Sequence, residues 1–278
     1  MKGLCLGVCL LVGSTGVYAG GQAADTLVIG NDLAEIVERL DAGAQLVGRD
    51  DSSRYPPAIA SLPSVGYLRQ LSAEGILSLK PKRVLISDAA RPVIVLRQLQ
   101  ALDLEVISVA RGKGIGDIAG KIEQVARVMD RQAQGHLLAE EQQRLAAELA
   151  RMPVLEGPRA LFIFNRAGMT PLIMGRGTEA HAALEQAGIE NSVPFNAYKQ
   201  VAAEAMVALA PDFVIVSKAG LEALGGEENL WQLGGLAHTP AGQQRRLVQV
   251  DDQALLNLGP RTVQAMLQLR RDAGALFP

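Results

Sequence analysis

The chain has almost no cysteine. Both of its cysteines, Cys5 and Cys9, stand within the first ten of 278 residues. A disulfide framework and a thiolate metal site are excluded for everything that follows them. Aromatic residues make up only 4% and histidines number three, so each has to be considered singly. His136, His181 and His238 show no pair at metal-ligand spacing, which argues against a histidine-bound metal. There is no basic excess. With 27 Lys and Arg against 29 Asp and Glu, the formal charge is −2, and a general nucleic-acid binder is not expected. No segment after the first twenty-odd residues is long and apolar enough to read as a membrane span. Gly-x-Ser-x-Gly and Gly-Lys-Ser/Thr are also missing, so neither hydrolase nor nucleotidase chemistry is supported. Gly112-Lys113-Gly114-Ile115-Gly116 fails the dinucleotide spacing.

What is present begins with an export signal. Lys2 precedes an apolar run from Leu4 to Val12, and small residues follow, with Ala19 or Ala23 closing the expected cleavage site. Residues 1–23 read as a secretory signal peptide and place the mature chain in a periplasm. The whole chain has 49% hydrophobic and 20% charged residues, enough for a full core.

Apolar runs and helical spacing then alternate. Strands are expected at 26–29, 45–48, 83–87 and 104–109, with helices at 33–40 and 92–102 between them. Residues 117–152 keep helical spacing with no proline and read as a connector, with Gly135 as a kink or break. The alternation restarts with strands at 160–164 and 212–217 and helices at 178–187 and 262–273. The expected fold is α/β: two lobes with mostly parallel sheets, 24–116 and 153–278, joined by a long connector helix with a cleft between them.

The two lobes repeat one another. Leu71-Ser72-Ala73-Glu74-Gly75-Ile76-Leu77-Ser78-Leu79-Lys80-Pro81 runs into Arg83-Val84-Leu85-Ile86-Ser87. Val201-Ala202-Ala203-Glu204-Ala205-Met206-Val207-Ala208-Leu209-Ala210-Pro211 runs into Phe213-Val214-Ile215-Val216-Ser217. In both, Glu stands five before Leu and seven before Pro, and the strand ends in Ser. This pattern resembles the substrate-binding proteins of ABC importers in the class that serves cobalamin, ferric siderophores and haem. The resemblance implies that Glu74 and Glu204 dock onto an inner-membrane permease. Taken alone, each glutamate merely complements its helix dipole.

The stretch Gly66-Tyr67-Leu68-Arg69-Gln70-Leu71-Ser72-Ala73-Glu74, with Arg166 to Thr178, is similar to periplasmic haem-binding proteins. That similarity implies haem as transported ligand, with Tyr67 as the axial ligand of its iron. A free phenol titrates near about pH 10, so an anion there needs the ferric ion and a neighbouring cation such as Arg69. In an extended loop, the spacing of two residues turns both side chains the same way. Without the similarity, Tyr67 is a half-buried loop tyrosine beside a solvated arginine. In the second lobe Ala197 stands where Tyr67 stands in the first, and Tyr198, one place on, is expected in packing or in the cleft wall. Arg166 falls where some relatives carry a histidine and is expected to bind a propionate. Arg54, Arg91, Arg176 and Lys218 are further cations expected near the cleft. The expectation is a monomeric carrier, not an enzyme. The alternatives are the same fold binding cobalamin or a ferric siderophore, or a secreted α/β enzyme.

Overall fold

The computed structural model describes residues 24–102 and 104–277. The expected signal peptide, with Cys5 and Cys9, lies outside them. The first sheet contains β1 (Thr26–Ile29), β2 (Leu46–Arg49), β3 (Arg83–Ser87) and β4 (Glu105–Val109), in the order β2-β1-β3-β4. All three pairings are parallel. The second sheet contains β5 (Arg159–Phe164), β6 (Leu172–Met174), β7 (Glu190–Asn191), β8 (Tyr198–Lys199), β9 (Phe213–Ser217) and β10 (Leu247–Val250). Its order is β10-β9-β5-β6-β8, with β7 also paired to β5. Here β6 runs antiparallel to both β5 and β8, while the other pairings are parallel. The short strands β6, β7 and β8 carry too few residues for periodicity to mark them.

The repeat folds as one unit used twice. Helix Ala73–Ser78 leads into β3 and helix Ala203–Leu209 into β9. In both, the residue just before the proline, Lys80 or Ala210, takes a left-handed backbone. A residue preceding proline is driven out of the right-handed helix, so the helix stops and the chain turns into the strand. Both strands sit inside their sheets and are buried, as continuous apolar runs in parallel sheets should be. The terminal serines act alike: Ser87 Oγ accepts from the Ala89 N–H and Ser217 Oγ from the Gly220 N–H.

The connector is helical but folded on itself. Helix Ile118–Val128 ends at a turn in which Asp130 has φ 54, and helix Gln132–Arg151 follows. The break thus precedes Gly135. That glycine serves a different end: a Cβ on it would lie on the Ala126 methyl, so the two helices meet at that point. Helix Ile118–Val128 packs into the first-lobe core, while Leu149 of the second helix belongs to the second-lobe core. Helix Thr262–Ala275 also spans both, with Val263 in the first core and Met266, Leu267 and Leu269 in the second. Apolar packing therefore continues from one lobe to the other along two helices. No helix among the described residues is long and apolar enough to cross a membrane.

Candidate functional site

The lobes face each other across a cleft of about 630 Å³, a size suited to a small organic ligand. Tyr67, Leu68, Arg69, Arg54 and Ser87 line it from the first lobe. Phe164, Arg166, Met169, Met174, Tyr198 and Asp252 line it from the second. Apolar walls thus alternate with cations on both sides.

The first-lobe wall is built on a buried carboxylate. Asp50 is inaccessible, and its Oδ1 accepts from the Gly30 N–H at 2.9 Å and from Ser53 Oγ at 2.6 Å. Its Oδ2 accepts from the Ser52 N–H at 2.9 Å. This ties the loop carrying Asp51, Ser52 and Arg54 to the end of β1. The Asp51 N–H in turn donates to the Gly66 carbonyl at 2.8 Å. Gly66 has φ 92, a conformation open to glycine, and it delivers the chain into Tyr67. Tyr67 to Gln70 then form a turn closed by the Gln70 N–H on the Tyr67 carbonyl at 2.7 Å. The segment is a turn and not the extended loop that strand alternation assumes, yet both Tyr67 and Arg69 line the cleft. Tyr67 is 42% exposed, and its hydroxyl makes no hydrogen bond among the described residues. Arg69 is exposed and has no ion-pair partner among them.

The second-lobe wall is more constrained. Arg166 lies over the Phe164 ring at 5.0 Å, a cation–π contact that leaves its guanidinium without a salt bridge among the described residues. Tyr198 meets Phe164 edge to face at 6.3 Å. The Tyr198 hydroxyl donates to Glu179 Oε2 at 2.7 Å, and Arg111 Nη1 donates to Glu179 Oε1 at 2.9 Å. Burial pushes the Glu179 carboxyl up, but the hydrogen bonds from Tyr198 and Arg111 outweigh it and hold the group at about 2. Tyr198 is pushed well above the ordinary phenol, by burial and then by Glu179. Asp252 is raised by burial, against the pull of Arg166. Among the described residues no cluster of three or more His, Asp or Glu is placed to hold a free metal ion.

Residues 27–254 match the family described as periplasmic binding protein. The chain belongs to the periplasmic binding protein family. Three solved structures show how similar it is to characterised members. Periplasmic haem-binding protein BhuT in complex with two haems is 36% identical, with 91% of this chain and 98% of that chain covered and a TM-score of 0.83. RhuT from Roseiflexus sp. RS-1, in apo form, is 34% identical over 91% and 99%, with a TM-score of 0.82. HutB of Vibrio cholerae is 30% identical over 92% and 100%, with a TM-score of 0.76. Curated protein sequences yield no match.

The cleft of this periplasmic binding protein brings together Tyr67, Arg69, Arg166 and Arg54, but it leaves out the other three expected cations. Arg91 curls back, with Nη1 donating to the Asp88 and Ala90 carbonyls at 2.9 and 2.7 Å. Its backbone instead clamps the Tyr67 turn, through its N–H on the Leu68 carbonyl at 2.8 Å and its carbonyl on the Leu71 N–H at 3.0 Å. The Arg176 backbone pairs with Phe195 and Ala197 at 2.8 and 2.9 Å and so supports the strand bearing Tyr198, while its side chain is exposed outside the cleft. Lys218 opens helix Lys218–Leu224, capped by Ser217, and is exposed away from the cleft lining. Tyr198 stands in the cleft wall, as its place beside Ala197 suggests. Glu74 and Glu204 are exposed in the first turns of their helices and form no ion pair among the described residues.

Sequence reasoning missed Arg111, Glu179 and Asn31. Asn31 is buried at the cleft, and its carboxamide has no hydrogen-bond partner among the described residues. Its place directly after a strand end, at the start of a helix, was the available signal. Arg111 and Glu179 are 68 positions apart, and only the meeting of the lobes joins them.

Proposed function

We propose that this binding protein captures haem in the interlobe cleft and hands it to the inner-membrane permease of an ABC importer. The observation that carries the reading is Tyr67: an exposed phenol that, among the described residues, has no hydrogen-bond partner, beside Arg69, which has no ion-pair partner among them, in a cleft with apolar walls. A ferric ion is a hard acid and favours an anionic oxygen. Tyr67 supplies that oxygen, and Arg69 stabilises it or pairs with a propionate through its planar fork. Leu68, Phe164 and Met169 cover the porphyrin faces, and Arg166 takes a propionate. The haem-binding names of BhuT, RhuT and HutB support the same ligand.

The remaining parts of the reading follow from it. Residues 1–23 direct export to the periplasm. Residues 24–116 and 153–278 form the lobes, and 117–152 connect them. The carrier acts as a monomer, binds no nucleic acid, and presents Glu74 and Glu204, one per lobe, to basic patches of the permease. Titration of the purified chain with hemin tests the core of this. A Soret band appears on binding, and it weakens and shifts in Tyr67→Ala. A chain that stays colourless with hemin, or prefers cobalamin or a ferric siderophore, overturns the reading.

A further inference from the structure

Two tyrosines line the cleft, one from each lobe, and at 42% and 43% they are equally exposed. Exposure does not decide which of them meets the iron. The partner of the hydroxyl does. Tyr67 has none among the described residues, whereas Tyr198 donates to Glu179 at 2.7 Å. Glu179 is itself fixed from the other lobe by Arg111, whose second nitrogen donates to the Leu256 carbonyl at 3.1 Å. A bond from iron to Tyr67 releases the hydroxyl proton directly to solvent. A bond to Tyr198 would have to take the proton out of its hydrogen bond with Glu179. It would either leave a phenolate and a carboxylate at contact in a half-buried wall, where like charges repel strongly, or pass the proton to Glu179 and so give up the charge that Arg111 pairs with.

We propose that Glu179 is a positioning residue: it keeps Tyr198 a hydrogen-bond donor and so directs the iron to the Tyr67 side of the cleft. This rests on the reading of Tyr67 as the iron ligand. Arg111 completes the device by holding Glu179 in place across the lobe boundary. Each lobe thereby places a tyrosine in the cleft, although not at the same position of the repeat, and the two take opposite roles, one bonding the metal and the other bracing the wall.

The test uses the hemin-loaded full chain and the phenolate-to-iron charge-transfer band, with resonance Raman excitation into it. In the wild type the band is present, and in Tyr67→Phe it is lost. Absence from the wild type would defeat the Tyr67 reading itself, independently of Glu179. In Tyr67→Phe/Glu179→Ala the band returns, and it is lost again when Tyr198→Phe is added. Tyr67→Phe/Glu179→Gln keeps the side-chain volume, which guards against a variant that does not fold, and removes the charge that a Tyr198 phenolate would face while its carboxamide oxygen can still accept. The proposal is overturned if both double variants bind hemin with native circular dichroism and show no band. It is equally overturned if Tyr67→Phe alone keeps a band that Tyr198→Phe removes.

Discussion

Lys121 Nζ and Asp32 Oδ2 meet at 2.6 Å with side chains only 2% and 7% exposed. The same ammonium donates to the Leu258 carbonyl at 3.1 Å. One cation therefore joins helix Asn31–Arg39, the first connector helix and the segment of the second lobe that leads into helix Thr262–Ala275. Removing it alone strands a buried carboxylate at the edge of the cleft. Lys121→Met is expected to cost about 3–5 kcal/mol, and Lys121→Met/Asp32→Leu distinctly less, because the double change leaves no unpaired charge. Urea denaturation of both variants checks this. Equal losses would show that the charge pairing is not what matters.

Gly175 is the point at which packing sets the position of Tyr198. A Cβ there would collide with the Phe195 carbonyl oxygen and lie 2.8 Å from that of Ala197. Both are backbone atoms, so no flexible side chain can yield. Gly175→Ala is expected to cost about 1–3 kcal/mol and to part β6 from β8, drawing Tyr198 away from Glu179. The urea midpoint reads the first effect. An unchanged midpoint would mean that the strands part freely.

The repeat made the lobes legible, because a helix, a proline and a buried strand leave marks that short-range chemistry explains. The place of Tyr67 and Arg69 in the cleft lining was legible too, although through a motif and not through the extended geometry that alternation supposed. The cations Arg91, Arg176 and Lys218 were not. Charge at a strand end says nothing of where the side chain turns: nearby carbonyls take Arg91, Lys218 opens a helix, and the Arg176 side chain is exposed outside the cleft lining. Arg111 and Glu179 left no local trace at all. Their meaning lies in a contact between lobes, and neither periodicity nor spacing encodes how two lobes face each other.

Arg69 has no competing ion pair among the described residues, so its charge is available to the ligand. Arg69→Ala is expected to weaken hemin binding by about 10- to 100-fold, in the range for groups that support a metal ligand. Arg69→Lys should recover part of the loss if charge matters more than the planar fork. Hemin titration by absorbance separates these outcomes, and an unaltered affinity in Arg69→Ala would remove the residue from the site.

Glu74 and Glu204 carry exposed apolar neighbours one helical turn on, Leu77 and Val207. Glu74→Ala and Glu204→Ala are expected to change stability by less than about 0.5 kcal/mol and to leave hemin affinity unchanged. Each should slow haem uptake through the permease in reconstituted vesicles, and the double variant should slow it more. Uptake at the wild-type rate in the double variant would reduce both residues to helix-dipole partners.

Acid should loosen the wall around Tyr198 only after it has protonated Asp252, the cleft carboxyl that burial raises. The Glu179 carboxyl titrates at about 2 in the folded chain against an ordinary 4.5: burial opposes ionisation, but the bonds from Tyr198 and Arg111 outweigh it. A folded value below the unfolded one means that the unfolded chain binds the extra proton. Stability from this group is therefore complete above about pH 4.5 and is lost as the pH falls towards about 2. Glu179→Gln removes this contribution, so its urea midpoint should fall less steeply with acid across that window. Tyr198→Phe should have a smaller effect of the same sign, because Arg111 still holds the carboxylate. Parallel profiles for the wild type and Glu179→Gln would show that the Tyr198–Glu179–Arg111 contacts contribute nothing to folding, whatever their part in placing the iron.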